Sequence, residues 1–163
     1  MCQKYALKLN SILENCKPLL DTIPTSEMDH KPKPDKWSKK EILGHLIDSA
    51  YNNHQRFIRA EKRGNLIFGR YDQKEWVVKN NYQNRDAKEI IALFIAVHFH
   101  ISQLISSINE KDLKQTTSAH NFDKICMNQV EIGKPSSLGY LIDDYIFHLE
   151  HHLGQIVFAE RLG

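Results

Sequence analysis

Three histidines have the spacing to hold one metal ion. His148 and His152 stand four residues apart in a helical stretch from Ser137 to Leu162, and His45 lies in another, from Ser38 to Arg63. Residues at i and i+4 share a helix face with Cβ atoms about 5–6 Å apart, so two imidazoles can reach a common point. The third ligand must come from elsewhere in the fold, and His45 is the candidate. Three neutral imidazoles with positions left for water or substrate describe a catalytic rather than a structural zinc-like site. Spacing alone leaves a solvated helix face as the alternative, since the chain has nine histidines and isolated polar residues are normally exposed.

A peptidase of the HExxH type is disfavoured. Leu149 follows His148 where that motif requires glutamate. Glu150 falls roughly 160° around the helix from His152, away from the histidine pair.

Periodicity and capping locate the elements that must position these side chains. A first helix spans about Cys2 to Leu20, carrying Leu9, Ile12, Leu13, Cys16 and Leu20, with Pro18 limiting its C-terminal end. Asp21 to Lys36, with Pro24, Pro32 and Pro34, reads as an irregular connection. Ser38 and Glu41 form an S-x-x-E capping box, Trp37 and Ile42 occupy the positions of a hydrophobic staple, and Gly64 stops the second helix. Asn65 to Arg85 is a long connection with a short helix expected at Asp72 to Lys79. Asp86 and Glu89 cap a third long helix that continues to Ile108. Lys111 to Pro135 is the remaining connection, with a short hairpin as an option at Phe122 to Ile132. Pro135 and Ser137 introduce the last helix, and Gly163 is the last residue of the sequence. Helix after helix without alternating strands gives an all-α fold, a four-helix bundle in a single domain over residues 1–163, with helix order left open.

Two polar stripes border the apolar faces. His45, Ser49, Asn52 and Arg56 fall within an arc of roughly 60° on the second long helix. Asp144, His148, His152 and Gln155 line the last. Facing each other at one end of a bundle, such stripes make a polar cavity.

Composition narrows the partners. A formal charge of +2 is spread along the chain rather than gathered in a tail, so nucleic acid is not expected. No apolar run approaches the roughly 20 residues of a membrane span. Lys4, Lys8, Glu14 and Lys17 interrupt the N-terminal stretch, unlike a signal peptide, and a cytoplasmic protein without membrane attachment is expected. Cys2, Cys16 and Cys126 lack CxxC spacing, which argues against a disulfide framework or a cysteine-built zinc site. The apolar stripes are extensive enough to allow a homodimer face.

The segments His45-Leu-Ile-Asp48-Ser49-Ala-Tyr-Asn52-Asn-His-Gln-Arg56-Phe57 and Phe147-His148-Leu-Glu-His151-His152-Leu-Gly-Gln155-Ile156 resemble the DinB/YfiT-like superfamily. The approach Trp37-Ser38-Lys-Lys-Glu41-Ile42 and the segment Tyr71-Asp72-Gln-Lys-Glu-Trp76 resemble its YfiT branch. The resemblance implies a four-helix bundle holding a divalent metal on His45, His148 and His152, with His151 turned elsewhere. It also implies a metal-dependent enzyme acting on a small molecule, because family members include thiol-dependent transferases and isomerases beside proteins described as metal-dependent hydrolases.

The chemistry that follows is expected to be transfer of a low-molecular-weight thiol such as bacillithiol to a small electrophile. A divalent cation on neutral ligands keeps its charge and favours a thiolate; zinc and nickel are the leading metals, although imidazole also accepts copper and iron. Asp48 is expected to orient a ligand or take a proton. Arg56 is expected to bind a carboxylate through its planar fork, the alternative for both being ordinary surface charges. Asn52, Tyr71 and Trp76 are the candidates for holding the cosubstrate, the two aromatics lining a pocket entrance or anchoring their connection. Hydrolysis by metal-bound hydroxide is the enzymatic alternative, and a non-catalytic metal-dependent module the other.

Overall fold

Four stretches whose apolar residues recur every three or four positions become the four long helices. The computed structural model describes residues 2–157, apart from the side chains of residues 61–63. Helices α1 (Cys2–Thr22), α2 (Thr25–Asp29), α3 (Lys39–Arg63) and α4 (Gln73–Lys79) are followed by a 3-10 turn (Tyr82–Asn84). Then come α5 (Ala87–Ser107), α6 (Glu110–Lys114), strand β1 (Thr116–Thr117), α7 (Phe122–Ile125), β2 (Ser136–Ser137) and α8 (Leu138–Val157). The part of the last helix expected between residues 158 and 162 lies outside the described residues.

The capping chemistry forms as the sequence predicts. Glu41 N donates to Ser38 Oγ at 3.2 Å while Ser38 N donates to Glu41 Oε2 at 2.9 Å. Gly64 ends α3 with a φ of 63°, a left-handed conformation that glycine adopts without a Cβ penalty. Asp72 and Asp86 cap α4 and α5 by accepting from Glu75 N and Glu89 N.

Side-chain pairings fix how the long helices lie. Helix α5 packs against α1 and α3, and α8 against α3 and α1, giving the circular order α1, α5, α3, α8. Tyr5 meets Asp143 and Lys8 meets Glu150, so α1 and α8 run parallel. Lys40 donates to the Arg85 carbonyl and His54 meets His100, so α3 and α5 are parallel as well. His45 beside His148, and Phe57 against Tyr145, make α3 and α8 antiparallel. These three relations make α1 and α5 antiparallel, and Ser102 joins them by donating to the Ala6 carbonyl. The bundle is therefore up, down, down, up around its circumference, and the parallel α3–α5 pair obliges residues 64–86 to travel back along its length.

Four expectations need correction. Helix α1 continues through Pro18 to Thr22, and α2 occupies part of the stretch read as irregular. Pro18 is exposed, and Leu20 beyond it is fully buried, so core packing outweighs one lost backbone bond. No hairpin forms within residues 122–132; α7 begins there because the Phe122 ring is fully buried, and the strand pair instead joins Thr116 to Ser137 and Thr117 to Ser136. Helix α5 is long and apolar enough to cross a membrane by length and composition alone, because its interior polar residues, His98, Ser102 and Gln103 among them, are uncharged. Here it packs between α1 and α3.

Gly44 is required by a close approach. A Cβ added there would lie 2.1 Å from Tyr82 Cδ2, so only glycine lets the 3-10 turn settle on α3 one residue before His45. Gly44→Ala is expected to destabilise the protein by about 1–3 kcal/mol through overpacking, and Ser38→Ala by about 1 kcal/mol through loss of the cap. Urea unfolding followed by circular dichroism measures both; a Gly44→Ala midpoint equal to wild type would contradict the packing argument.

Candidate metal centre

The antiparallel contact of α3 and α8 brings the three histidines together. Seven residues past its cap, α3 presents His45, and α8 presents His148 and His152 on adjacent turns. His45 Nε2 and His148 Nε2 are 3.0 Å apart, and one ring nitrogen from each of the three residues lies within 4.8 Å of the others. Two nitrogens about 2.0–2.1 Å from one zinc ion span a gap of this order.

Burial keeps the cluster uncharged. It lowers His45 from the ordinary imidazole range to about 4, with His152 adding to the effect, and lowers His148 to about 3, helped by His45 and His152. His152 is lowered too, again chiefly by burial. All three therefore keep an unprotonated nitrogen at neutral pH, which is the state a divalent cation needs. The donor set fits such an ion.

Neighbouring groups set the ring orientations. His152 Nδ1 donates to Gln155 Oε1 at 2.9 Å, leaving Nε2 with its lone pair, and Gln155 Nε2 in turn donates to His151 Nε2 at 3.2 Å. His45 differs: its Nδ1 is buried without a partner, and its ring lies 5.0 Å from that of Trp37 at an interplanar angle of 33°. Glu150 is turned to Lys8 on α1 at 2.8 Å, away from the cluster as helical rotation predicts. His98 is a core histidine, fully buried, with Nδ1 donating to the Phe94 carbonyl at 2.7 Å.

A cleft of about 620 Å³ opens beside His148 and His152. Ser49, Asn53 and Arg56 line it from α3, Asp144 and Tyr145 from α8, and Tyr71 and Cys126 from the connections. Of the predicted residues, Arg56 and Tyr71 reach this lining, whereas Asp48, Asn52 and Trp76 do not. Asp48 is 1% exposed and accepts from Tyr82 Oη at 2.8 Å and Asn80 Nδ2 at 2.9 Å, tying the segment after α4 to α3. Burial pushes its carboxyl up to about 6 against the opposing effect of those two bonds. Asn52 donates to the Asp48 carbonyl on its own helix, and the Trp76 ring packs 4.9 Å from that of Tyr71.

Asn53 takes the place expected of Asn52. Its Nδ2 donates to the Ser49 carbonyl at 3.0 Å, and its Oδ1 accepts from Arg56 Nη1 at 3.3 Å. Ser49, Asn53 and Arg56 stand at i, i+4 and i+7, a periodicity that also matches one helix face. Cys126 gave no such signal, being alone in a connection.

These shifts set the pH response of the metal-free protein. His45, His98 and His148, all held to about 4 or below by burial, bind protons more readily in the unfolded chain. Their contribution to stability is full above pH 6.5 and is lost as pH falls toward 4. Asp48, raised to about 6, acts oppositely: its penalty is present above that pH and is relieved below it. Three imidazoles outweigh one carboxyl, so unfolding near pH 5 should take up roughly two protons and the urea midpoint should drop between pH 6.5 and 4.5. A midpoint unchanged across that interval would contradict neutral burial of the cluster.

Comparisons with known proteins place the fold and the family. The chain is 21% identical over 161 residues to a Bacillus subtilis protein named "Putative metal-dependent hydrolase YfiT", covering 98% of this chain and 85% of that one. It is 25% identical over 130 residues to "Putative metal-dependent hydrolase OB0782" of Oceanobacillus iheyensis, covering 80% and 69%. The solved structure of YfiT from Bacillus subtilis, described as a four-helix bundle of unusual topology, matches with a TM-score of 0.78 at 20% identity over 98% of this chain and 86% of that chain. The profile of the DinB superfamily matches residues 10–156, and the chain belongs to that superfamily.

Proposed function

We propose that this protein is a metal-dependent enzyme that transfers a low-molecular-weight thiol, bacillithiol being the candidate, to a small electrophile. The observation that carries the reading is the convergence of three uncharged imidazoles from two helices beside a cleft of small-molecule size. His45, His148 and His152 hold the divalent metal, with zinc and nickel the ions of choice. When bound, such an ion supplies positive charge that favours a thiolate over a thiol.

The protein's own groups do the positioning. Gln155 fixes the His152 ring, Trp37 backs that of His45, and Tyr71 with Arg56 shapes the wall on which cosubstrate and acceptor lie. Asp48 and Asn52 act from behind that wall through Tyr82, Asn80 and the helix backbone, and Trp76 supports Tyr71. Among the described residues the lining carboxylates are Asp72 and Asp144. Asp72 caps α4 and Asp144 accepts from two backbone N–H groups. Both are held by backbone donors, and a thiol, losing its proton near pH 8.5 even unaided, depends less on a carboxylate base than bulk water does. The three cysteines are unpaired, in keeping with the reducing cytoplasm in which a free thiol cosubstrate would be found.

Hydrolysis is the second reading, favoured by the names of the two relatives. The two differ in stoichiometry. Tag-free protein purified without a nickel column should take up about one zinc or nickel per chain by elemental mass spectrometry, and His148→Ala should lose it. Gln155→Ala should bind the metal about 10–100-fold more weakly. Metal-loaded protein mixed with bacillithiol and an electrophile should consume both equally. Acceptor loss without thiol loss assigns hydrolysis, and wild type that refuses both metals overturns the metal-dependent reading.

A further inference from the structure

The cleft holds a buried guanidinium with no carboxylate to meet it. Arg56 is 7% exposed; Nη1 donates to Asn53 Oδ1 at 3.3 Å and Nη2 to the Gly69 carbonyl at 3.1 Å. Both acceptors are uncharged, and a guanidinium has five N–H donors and keeps its charge in proteins. Among the described residues no acidic side chain pairs with it. Asp144, the buried carboxylate of the same cleft, is instead engaged by Met127 N at 2.9 Å and Asn128 N at 2.7 Å. Those bonds draw its oxygens to the backbone of the α7–β2 connection. An uncompensated buried cation is costly to a fold, and this one is held open to a cavity rather than sealed in the core.

The cleft mouth extends the same polarity. Arg70, Lys74 and Lys124 stand on the connections around it and are exposed. Among the described residues, Asp72 and Asp144 are the acidic groups of the lining, and both already accept from backbone N–H groups. Such a rim raises the local concentration of anions and leads them inward.

We propose that Arg56 anchors a carboxylate of the bound reactants, so that the molecules this cleft takes are small organic anions, held at Arg56 while the reacting end faces the three histidines. The inference rests on the proposed function for what happens at the histidine end, but the anion site itself requires no metal. Recognition uses the donors of the planar fork left free by Asn53 and Gly69, an arrangement that lysine cannot reproduce. The carboxylate can belong either to the thiol or to the electrophile, and the test separates the two.

Malonate titrated into metal-free wild-type protein, followed by amide chemical shifts, should bind and perturb signals around residues 53, 56 and 69. Arg56→Gln should weaken binding about 100-fold, the scale of a buried charge partner lost. Arg56→Lys, which retains the charge and the aliphatic stem, should fall between them and serves if Arg56→Gln fails to fold. In the metal-loaded protein, a carboxylate-bearing acceptor should show a raised KM in Arg56→Lys while its methyl ester does not, if the acceptor carries the anchored group. If the thiol carries it, the raised KM should follow the acid-to-ester change in the thiol. No malonate binding to wild type, or equal binding to Arg56→Gln, would overturn the proposal. Loss of metal binding with malonate binding intact would overturn only the metal reading.

Discussion

Everything at the site depends on keeping three imidazoles neutral inside an apolar bundle. Each alone would sooner be solvated, and together they would repel as soon as two were protonated. Burial between α3 and α8 settles the conflict by removing the protons, and the same desolvation that lowers their proton affinity leaves three lone pairs around one point. The site is thus a by-product of packing as much as of coordination. One residue before His45, Gly44 leaves room for Tyr82 to rest directly on α3, so the connection covers the helix beside the site.

The division of labour between helices and connections follows. Helices α3 and α8 supply the histidines, Arg56 and Asp144, whose spacing is fixed by helical geometry. Connections supply Tyr71, Cys126 and the basic mouth. Asp48 joins these two populations: with Asn80 and Tyr82 it fastens the long α3–α5 connection to the helix that bears His45. A buried carboxyl raised to about 6 is a costly fastener. Its two donors lower that cost without abolishing it, and its second oxygen has no partner.

Much of this was readable before any coordinates. The capping box at Ser38 and Glu41, the stop at Gly64 and the caps at Asp72 and Asp86 are local chemistry, so each appears where the sequence predicts. The histidine pair on α8 is equally local. Its meeting with His45 is not: the sequence offered His45 as a candidate on a second polar stripe, and the family resemblance tied it to the pair. Side chains near a boundary between faces were less legible: Asn52 and Asn53 differ by 100° of rotation, and tertiary packing chose Asn53 for the cleft. Pro18 misled for the opposite reason, since a local rule yielded to the burial of Leu20. The short elements α2, α6 and α7 carry too few residues for a periodic signal. The order of the long helices depends on contacts between segments far apart in sequence, about which periodicity says nothing.

The antiparallel meeting of His45 and His148 joins residues 103 positions apart. During synthesis, a chain that has completed α3 therefore exposes one imidazole of the three and must wait for α8 before it offers a chelate. Bringing such distant residues together carries a loop-closure cost that α3 alone cannot meet, so the three-nitrogen arrangement belongs to the folded bundle and to no single segment of the chain. An ion that needs all three nitrogens is therefore offered them only by a chain in which α3 and α8 have met.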